Sequence, residues 1–297
     1  MTESFAMAES NGSAESFGVR LRSAMSELGP LCAGIDPHPG LLAHWGLDES
    51  VAGLETFAMT CVEAFAGTVA VVKPQSAFFE RFGSAGVAVL ERTLAGLREA
   101  GTLSLLDVKR GDIGSTMTAY ARAYLSQDSP LRADAITVSP FLGFESLRPA
   151  MDLARETGRG MFVLTLTSNP EGAEVQHALR DGRTVAGRIV DGVTSANAPE
   201  AGRGVLGSMG MVVGATVGRA VQDLGLDLAG ANAPLLAPGV GAQGATAADL
   251  ATVFGAALGN VLASSSREIL GAGPDRAALR AAAGQTAEQL RVILSTS

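Results

Sequence analysis

Eight short apolar runs recur along this chain, and each ends at a polar or turn-forming residue. The runs are Leu31–Ile35, Thr68–Val72, Leu103–Leu106, Ala135–Val138, Met161–Leu166, Met211–Gly214, Leu235–Ala237 and Asn260–Ala263. They are too short for helices. Their hydrophobicity is continuous rather than alternating, which suits strands buried on both faces. Between them lie segments with apolar residues three to four apart, such as Val87, Leu90, Leu94 and Leu97 within Ala85–Ala100. Thr246–Leu258 and Arg276–Ile293 follow the same period. Strands alternating with helices imply a parallel sheet covered by helices. Eight such units in about 250 residues predict an α/β fold, a (β/α)8 TIM barrel in a single domain. A doubly wound open sheet is the alternative architecture.

Two stretches fall outside that rhythm. Residues 169–208 are too long for one connection, and Thr184–Val193 within them is amphipathic. A helical insertion between strands five and six is predicted there. Residues 1–17 are acidic and rich in Ser, Ala and Glu, so a disordered leader is expected before a barrel spanning 18–297. That leader has no basic segment followed by an apolar one, unlike a secretory signal. No apolar run reaches the ~18 residues of a membrane span, so no membrane partner is expected. A net charge of −8 lacks the basic face that nucleic-acid binding needs. Cys32 and Cys61 form neither a disulfide framework nor a metal motif. Buried free thiols suit a reducing, cytoplasmic setting.

The polar residues fall in one kind of place. Asp36, Lys73, Asp107, Lys109, Ser168, Gln243 and Arg267 all lie at or just after the C-terminal end of a predicted strand. In a barrel those ends form one face, where active sites are built. Asp107 and Lys109 are two apart and share a strand face. Asp112 follows in turn-forming sequence beyond the strand. Lys73 and Lys109, set among Asp36, Asp107 and Asp112, are kept charged by opposite charges nearby. An ion-pair network bracing the barrel mouth would place the same residues there. Buried pairs are a doubtful source of net stability, however, and chemistry on a charged substrate explains them better.

The last two loops carry a different signal. Pro238-Gly239-Val240-Gly241-Ala242-Gln243-Gly244 lets backbone N–H groups approach a ligand. Ser264-Ser265-Ser266-Arg267 adds a guanidinium suited to phosphate oxygens. Phosphate sites after strands seven and eight recur in barrels. His38, His44 and His177 share no metal-ligand spacing. Trp45 and the Phe78-Phe79 pair are expected to pack, and Glu80 to sit at the surface or behind the site.

Asp107-Val108-Lys109-Arg110-Gly111-Asp112 resembles the Asp-x-Lys-x-x-Asp signature of the orotidine 5′-phosphate decarboxylase family, in particular its longer bacterial branch. Lys73-Pro74-Gln75-Ser76-Ala77-Phe78-Phe79-Glu80, Thr167-Ser168-Asn169-Pro170-Glu171-Gly172 and the Pro238–Gly244 loop are similar to its other signature segments. The resemblance implies decarboxylation of orotidine 5′-phosphate to uridine 5′-phosphate, the last step of de novo pyrimidine synthesis. It implies Lys109 as proton donor to C6 and Asp107 beside the substrate carboxylate. Lys73 and Asp36 would contact the ribose, Ser168 the pyrimidine, and Pro238, Gln243 and Arg267 the phosphate end. Asp112, Ile113 and Thr116 would reach the partner's site in a homodimer. Neither metal nor cofactor is implied. Ser139-Pro140 departs from the polar residue often found there, and its role stays open.

Two rival readings share the fold. Magnesium-dependent sugar-phosphate decarboxylases and aldolases carry the same Asp-x-Lys-x-x-Asp motif. They have an acidic ligand where this chain has Lys73, and a lysine there repels a divalent cation. A non-catalytic nucleotide-binding barrel would show gaps in the charge constellation, and none appears.

Overall fold

The protein is described here by a computed structural model covering residues 15–240 and 244–295. Eight parallel strands close into a barrel: β1 (Leu31–Ile35), β2 (Val71–Pro74), β3 (Leu103–Arg110), β4 (Ala135–Val138), β5 (Gly160–Leu166), β6 (Met209–Val213), β7 (Leu235–Pro238) and β8 (Val261–Ser265). Each strand pairs with its neighbours in sequence, and β8 returns to β1 through Leu31 opposite Ala263. That pairing excludes the open sheet, because β1 has a partner on both edges.

The strands bury both faces, as continuous apolar sequence requires. One face of each strand points into the barrel. There Cys32, Val71, Leu105, Ala135, Phe162, Val212, Leu236 and Leu262 form an inner core. Phe17, Leu21 and Met25 of the first helix, Phe17–Leu28, join that core and close the N-terminal end of the barrel. Phe17 packs edge-on against Phe162 with ring centroids 6.0 Å apart, a favoured aromatic geometry. The outward strand faces meet the helices in a second, larger core.

Residues two further along each inward face reach the C-terminal mouth. The positions following Cys32, Val71, Leu105 and Ala135 on that period are Gly34 and Asp36, Lys73, Asp107, and Thr137. The site is thus a polar layer stacked on an apolar one, dictated by the two-residue period of the strand.

Several boundaries differ from the sequence expectation. The second strand starts at Val71 rather than Thr68. The third runs on to Arg110, so Asp107 and Lys109 lie within it. Its pairing with β4 shifts register between Leu106 and Arg110, and Lys109 adopts φ 47°. A bulge of this kind re-aims a side chain where a regular strand could not. Just beyond it the backbones come so close that a Cβ on Gly111 would lie 2.1 Å from the Ser139 carbonyl oxygen. Ser139 N–H donates to Arg110 O at 2.8 Å across the same approach.

The segment 169–208 holds a short helix at Gly172–Gln176, a two-stranded hairpin (Leu179–Arg180 with Arg183–Thr184) and a helix at Val185–Ala201. Thr184 caps that helix by accepting the Gly187 N–H at 3.0 Å. The helix packs on β5 and β6, so it is the regular crossover between them. The extra material is the shorter stretch ahead of it. Helix Ala247–Phe254 opens with a Thr246–Asp249 capping box. The expected leader lies outside the described residues up to residue 14. Among the described residues, no helix is long and apolar enough to cross a membrane.

Candidate active site

A cavity of about 850 Å³ opens at the C-terminal mouth of the barrel. Of the residues singled out from sequence, Asp36, Lys73, Asp107, Lys109, Ser168, Pro238 and Arg267 all line it. They come from strand ends far apart in the chain, and closure of the barrel is what brings them together. Gln243 lies outside the described residues. Asp112, Ile113 and Thr116 do not line the cavity. Asp112 Oδ1 accepts the Ile113 N–H at 2.8 Å. Ile113 is 61% exposed, and Thr116 lies exposed on the first turn of helix Gly114–Leu125.

At one end of the cavity the charges alternate. The buried Lys73 ammonium lies 3.8 Å from Asp36 Oδ1 and 3.3 Å from Asp107 Oδ2. Lys109 Nζ lies 2.6 Å from Asp107 Oδ1, and its side chain is 46% exposed toward the cavity. Thr137 Oγ1 donates to the same Asp107 oxygen at 2.7 Å and accepts the Lys109 N–H at 3.0 Å. Asp107 therefore receives three donors and cannot rotate freely. Asp36 Oδ1 is buried and accepts no hydrogen bond.

Burial alone would strip the Lys73 proton, but Asp36 and Asp107 outweigh it and hold its pKa above the ordinary lysine value. Burial likewise opposes charge on Asp107. Lys73 and Lys109, with the hydrogen bonds from Lys109 and Thr137, outweigh it and hold that carboxyl below its ordinary range. Both groups are charged at neutral pH, and each depends on the other. A lysine already fills the space between the two carboxylates. Among the described residues, no cluster of three or more His, Cys, Asp or Glu side chains could hold a metal ion.

The loops after β7 and β8 add lining of a different character. Gly239, Val240 and Gly244 contribute with Ser264, Ser265, Ser266 and Arg267. A Cβ on Gly34 would fall 2.0 Å from Ser266 Oγ, so only glycine lets β1 lie this close to the loop after β8. Leu164, Val212 and Leu236, which belong to or pack on the inner core, give the cavity an apolar floor, and Ser168 and Asn169 line it too. A cationic grip, an apolar slot and a charged array suit a phosphorylated ligand with a flat ring and an anionic group.

Sequence reasoning missed Thr137, although the inward period from Ala135 points to it. It also set His38 aside, yet His38 lines the cavity and packs edge-on against Phe78 with ring centroids 4.2 Å apart. Trp45 packs as expected, donating to Leu270 O at 2.9 Å. Glu80 is exposed and pairs with Arg110 at 2.6 Å.

Residues 29–282 match the family described as Orotidine 5′-phosphate decarboxylase / HUMPS. A Salinispora arenicola protein named orotidine 5′-phosphate decarboxylase is 62% identical over 284 residues, 95% of this chain and all of that protein. One of the same name from Streptomyces coelicolor is 60% identical over the same shares. A Streptomyces avermitilis crystal structure that bears the name provisionally superposes with TM-score 0.91 at 58% identity, covering 98% of this chain and 100% of that one.

The charge array yields a test of its own. Lys73→Met should leave Asp36 and Asp107 facing each other and cost about 3–5 kcal/mol at neutral pH. Asp107 has a depressed pKa, so its contribution in the wild type is complete above about pH 4 and fades only as pH falls through the lower folded value. Between pH 7 and 5 the wild type should therefore hold that contribution, while the variant regains stability as its carboxylates take up protons. Denaturant midpoints at the two pH values measure this. A variant losing under 1 kcal/mol, or one indifferent to pH, would contradict it.

Proposed function

The chain belongs to the orotidine 5′-phosphate decarboxylase / HUMPS family, and from that membership we propose that it converts orotidine 5′-phosphate to uridine 5′-phosphate, the last step of de novo pyrimidine synthesis. The observation that carries this reading is the array Asp36–Lys73–Asp107–Lys109 in a cavity that Arg267 also lines. Loss of carbon dioxide breaks the bond from C6 to the carboxyl carbon and leaves the electron pair on C6. No adjacent carbonyl delocalises that pair. The Lys109 ammonium is the nearest mobile cation; it stabilises the developing charge and then delivers a proton to C6. Asp107, fixed by its three donors, stands beside the substrate carboxylate and favours its departure.

The remaining residues bind and orient. Asp36, with its unsatisfied buried oxygen, accepts a ribose hydroxyl, and Lys73 lies beside it. Ser168 holds the pyrimidine edge. Pro238, Gln243 and Arg267 serve the phosphate end. Binding energy gathered at the phosphate organises groups at the other end and so raises the rate as well as affinity.

Lys73 is what favours this over the magnesium-dependent chemistry of the HUMPS side of the family. Its ammonium neutralises the carboxylates that a divalent cation would need. The test is the loss of orotidine 5′-phosphate absorbance with and without EDTA. The wild type should be active and indifferent to EDTA. Lys109→Ala should lose at least about 10³-fold in kcat with its circular dichroism unchanged. A near-normal rate in that variant, or abolition by the chelator, would overturn the reading.

A homodimer belongs to the same proposal. Asp112, Ile113 and Thr116 do not line their own cavity, and the exposed Phe141 and Leu142 follow the adjacent strand β4. In the dimer Asp112 enters the partner's site. Mixing inactive Asp112→Ala with inactive Lys109→Ala should restore activity, because a mixed dimer holds one intact site. No recovery after subunit exchange would contradict it. The buried free thiols Cys32 and Cys61 support a cytoplasmic location, to be checked by cell fractionation; recovery in an oxidising compartment would count against it.

A further inference from the structure

We infer that Thr137 is a positioning residue for the decarboxylation, holding both the aim of Lys109 and the orientation of Asp107 through one hydroxyl group. The inference rests on the function proposed above. Lys109 is not a glycine, yet its backbone sits at φ 47° inside a strand. For an L-residue that conformation is unfavourable, and it persists only where the surroundings hold it. The Lys109 N–H, displaced from regular pairing by the bulge, finds its acceptor in Thr137 Oγ1 at 3.0 Å. Thr137 itself lies in the middle of β4, with 1% of its surface exposed, and cannot swing away.

The direction of each hydrogen bond follows from the first. The Thr137 oxygen accepts from Lys109 N–H, so its own proton is free to go to Asp107 Oδ1, 2.7 Å away. A carboxylate can only accept there. Asp107 Oδ1 then has two donors, Thr137 and the Lys109 ammonium, while Oδ2 faces Lys73. One hydroxyl ties the backbone that carries the proton donor to the carboxylate that the proton donor touches. Valine has the same shape and strand preference but neither function of the hydroxyl. It would leave the Lys109 N–H without its acceptor and release the Asp107 carboxylate to turn.

Three kinds of measurement separate positioning from mere packing. Thr137→Val should lower kcat by about 10- to 100-fold, the cost of a small misplacement of reacting groups. KM should stay within about threefold, since the ligand-holding residues are untouched. Thr137→Ser, which keeps the hydroxyl, should recover most of the rate. The groups facing Asp107 are Lys73 from β2, Lys109 from β3 and Thr137 from β4, with Asp36 beyond Lys73 and Cys32 below. Only one of these donors is lost in Thr137→Val, so the acid limb of its kcat–pH profile should move to higher pH. Amide hydrogen exchange gives a readout independent of turnover: Lys109 N–H should lose protection in Thr137→Val and keep it in Thr137→Ser. An active wild type with Thr137→Val within twofold in kcat and equally protected at Lys109 would overturn this inference alone. Serine and valine impaired alike would reduce Thr137 to packing and overturn it too. A wild type inactive on orotidine 5′-phosphate would instead overturn the function.

Discussion

The carboxylate of Asp107 is the group on which the rest of the site depends. It is nearly buried, and a lone ionised carboxylate there would be unstable. Lys73, Lys109 and Thr137 offset that penalty with donors at 3.3, 2.6 and 2.7 Å. Each donor comes from a different backbone position: β2, the bulge of β3, and β4. The carboxylate can therefore stay charged only if three adjacent strands are in register. Fold and chemistry are coupled at this point, because a slip of one residue in any of the three strands would turn its donor outward.

The same arrangement sets the two lysines apart. Lys73 is held charged by two carboxylates that outweigh its burial, and it is committed to them. Lys109 shares Asp107 but reaches toward the open volume. One ammonium is enclosed by carboxylates, and the other is open to the cavity. The distinction arises from geometry rather than residue type. Lys73 is a regular inward strand residue, whereas Lys109 leaves the regular path by its left-handed backbone.

Much of this was legible in the sequence. Eight continuous apolar runs alternating with helices point to a covered parallel sheet, because strands covered on both sides have no polar face to show; the pairing of β8 with β1 is what closes it. The polar residue after each run marks the C-terminal mouth, and Asp36, Lys73, Asp107, Lys109, Ser168, Pro238 and Arg267 all meet there. Asp112 does not line its own cavity, and only the family resemblance sets it apart from the other charges. The bulge at Lys109 left no trace, since nothing but glycine announces a positive φ. Thr137 was hidden in an apolar run, where threonine passes for an ordinary strand former. Only the inward period counted from Ala135 distinguishes it. The stretch 169–208 looked like an insertion because polar and glycine-rich residues precede Thr184. The helix after them is a normal part of the barrel.

The central claim is that the reacting carbon lies against Lys109, with Asp107 on the side from which the carboxyl group departs. The most direct measurement is a crystal structure with the product, uridine 5′-phosphate, bound. The phosphate should lie at Arg267 and pyrimidine C6 within about 3–3.5 Å of Lys109 Nζ, the spacing of groups poised to react. A product seated with C6 turned away from Lys109, or with its phosphate against Lys73 instead of Arg267, would contradict that placement.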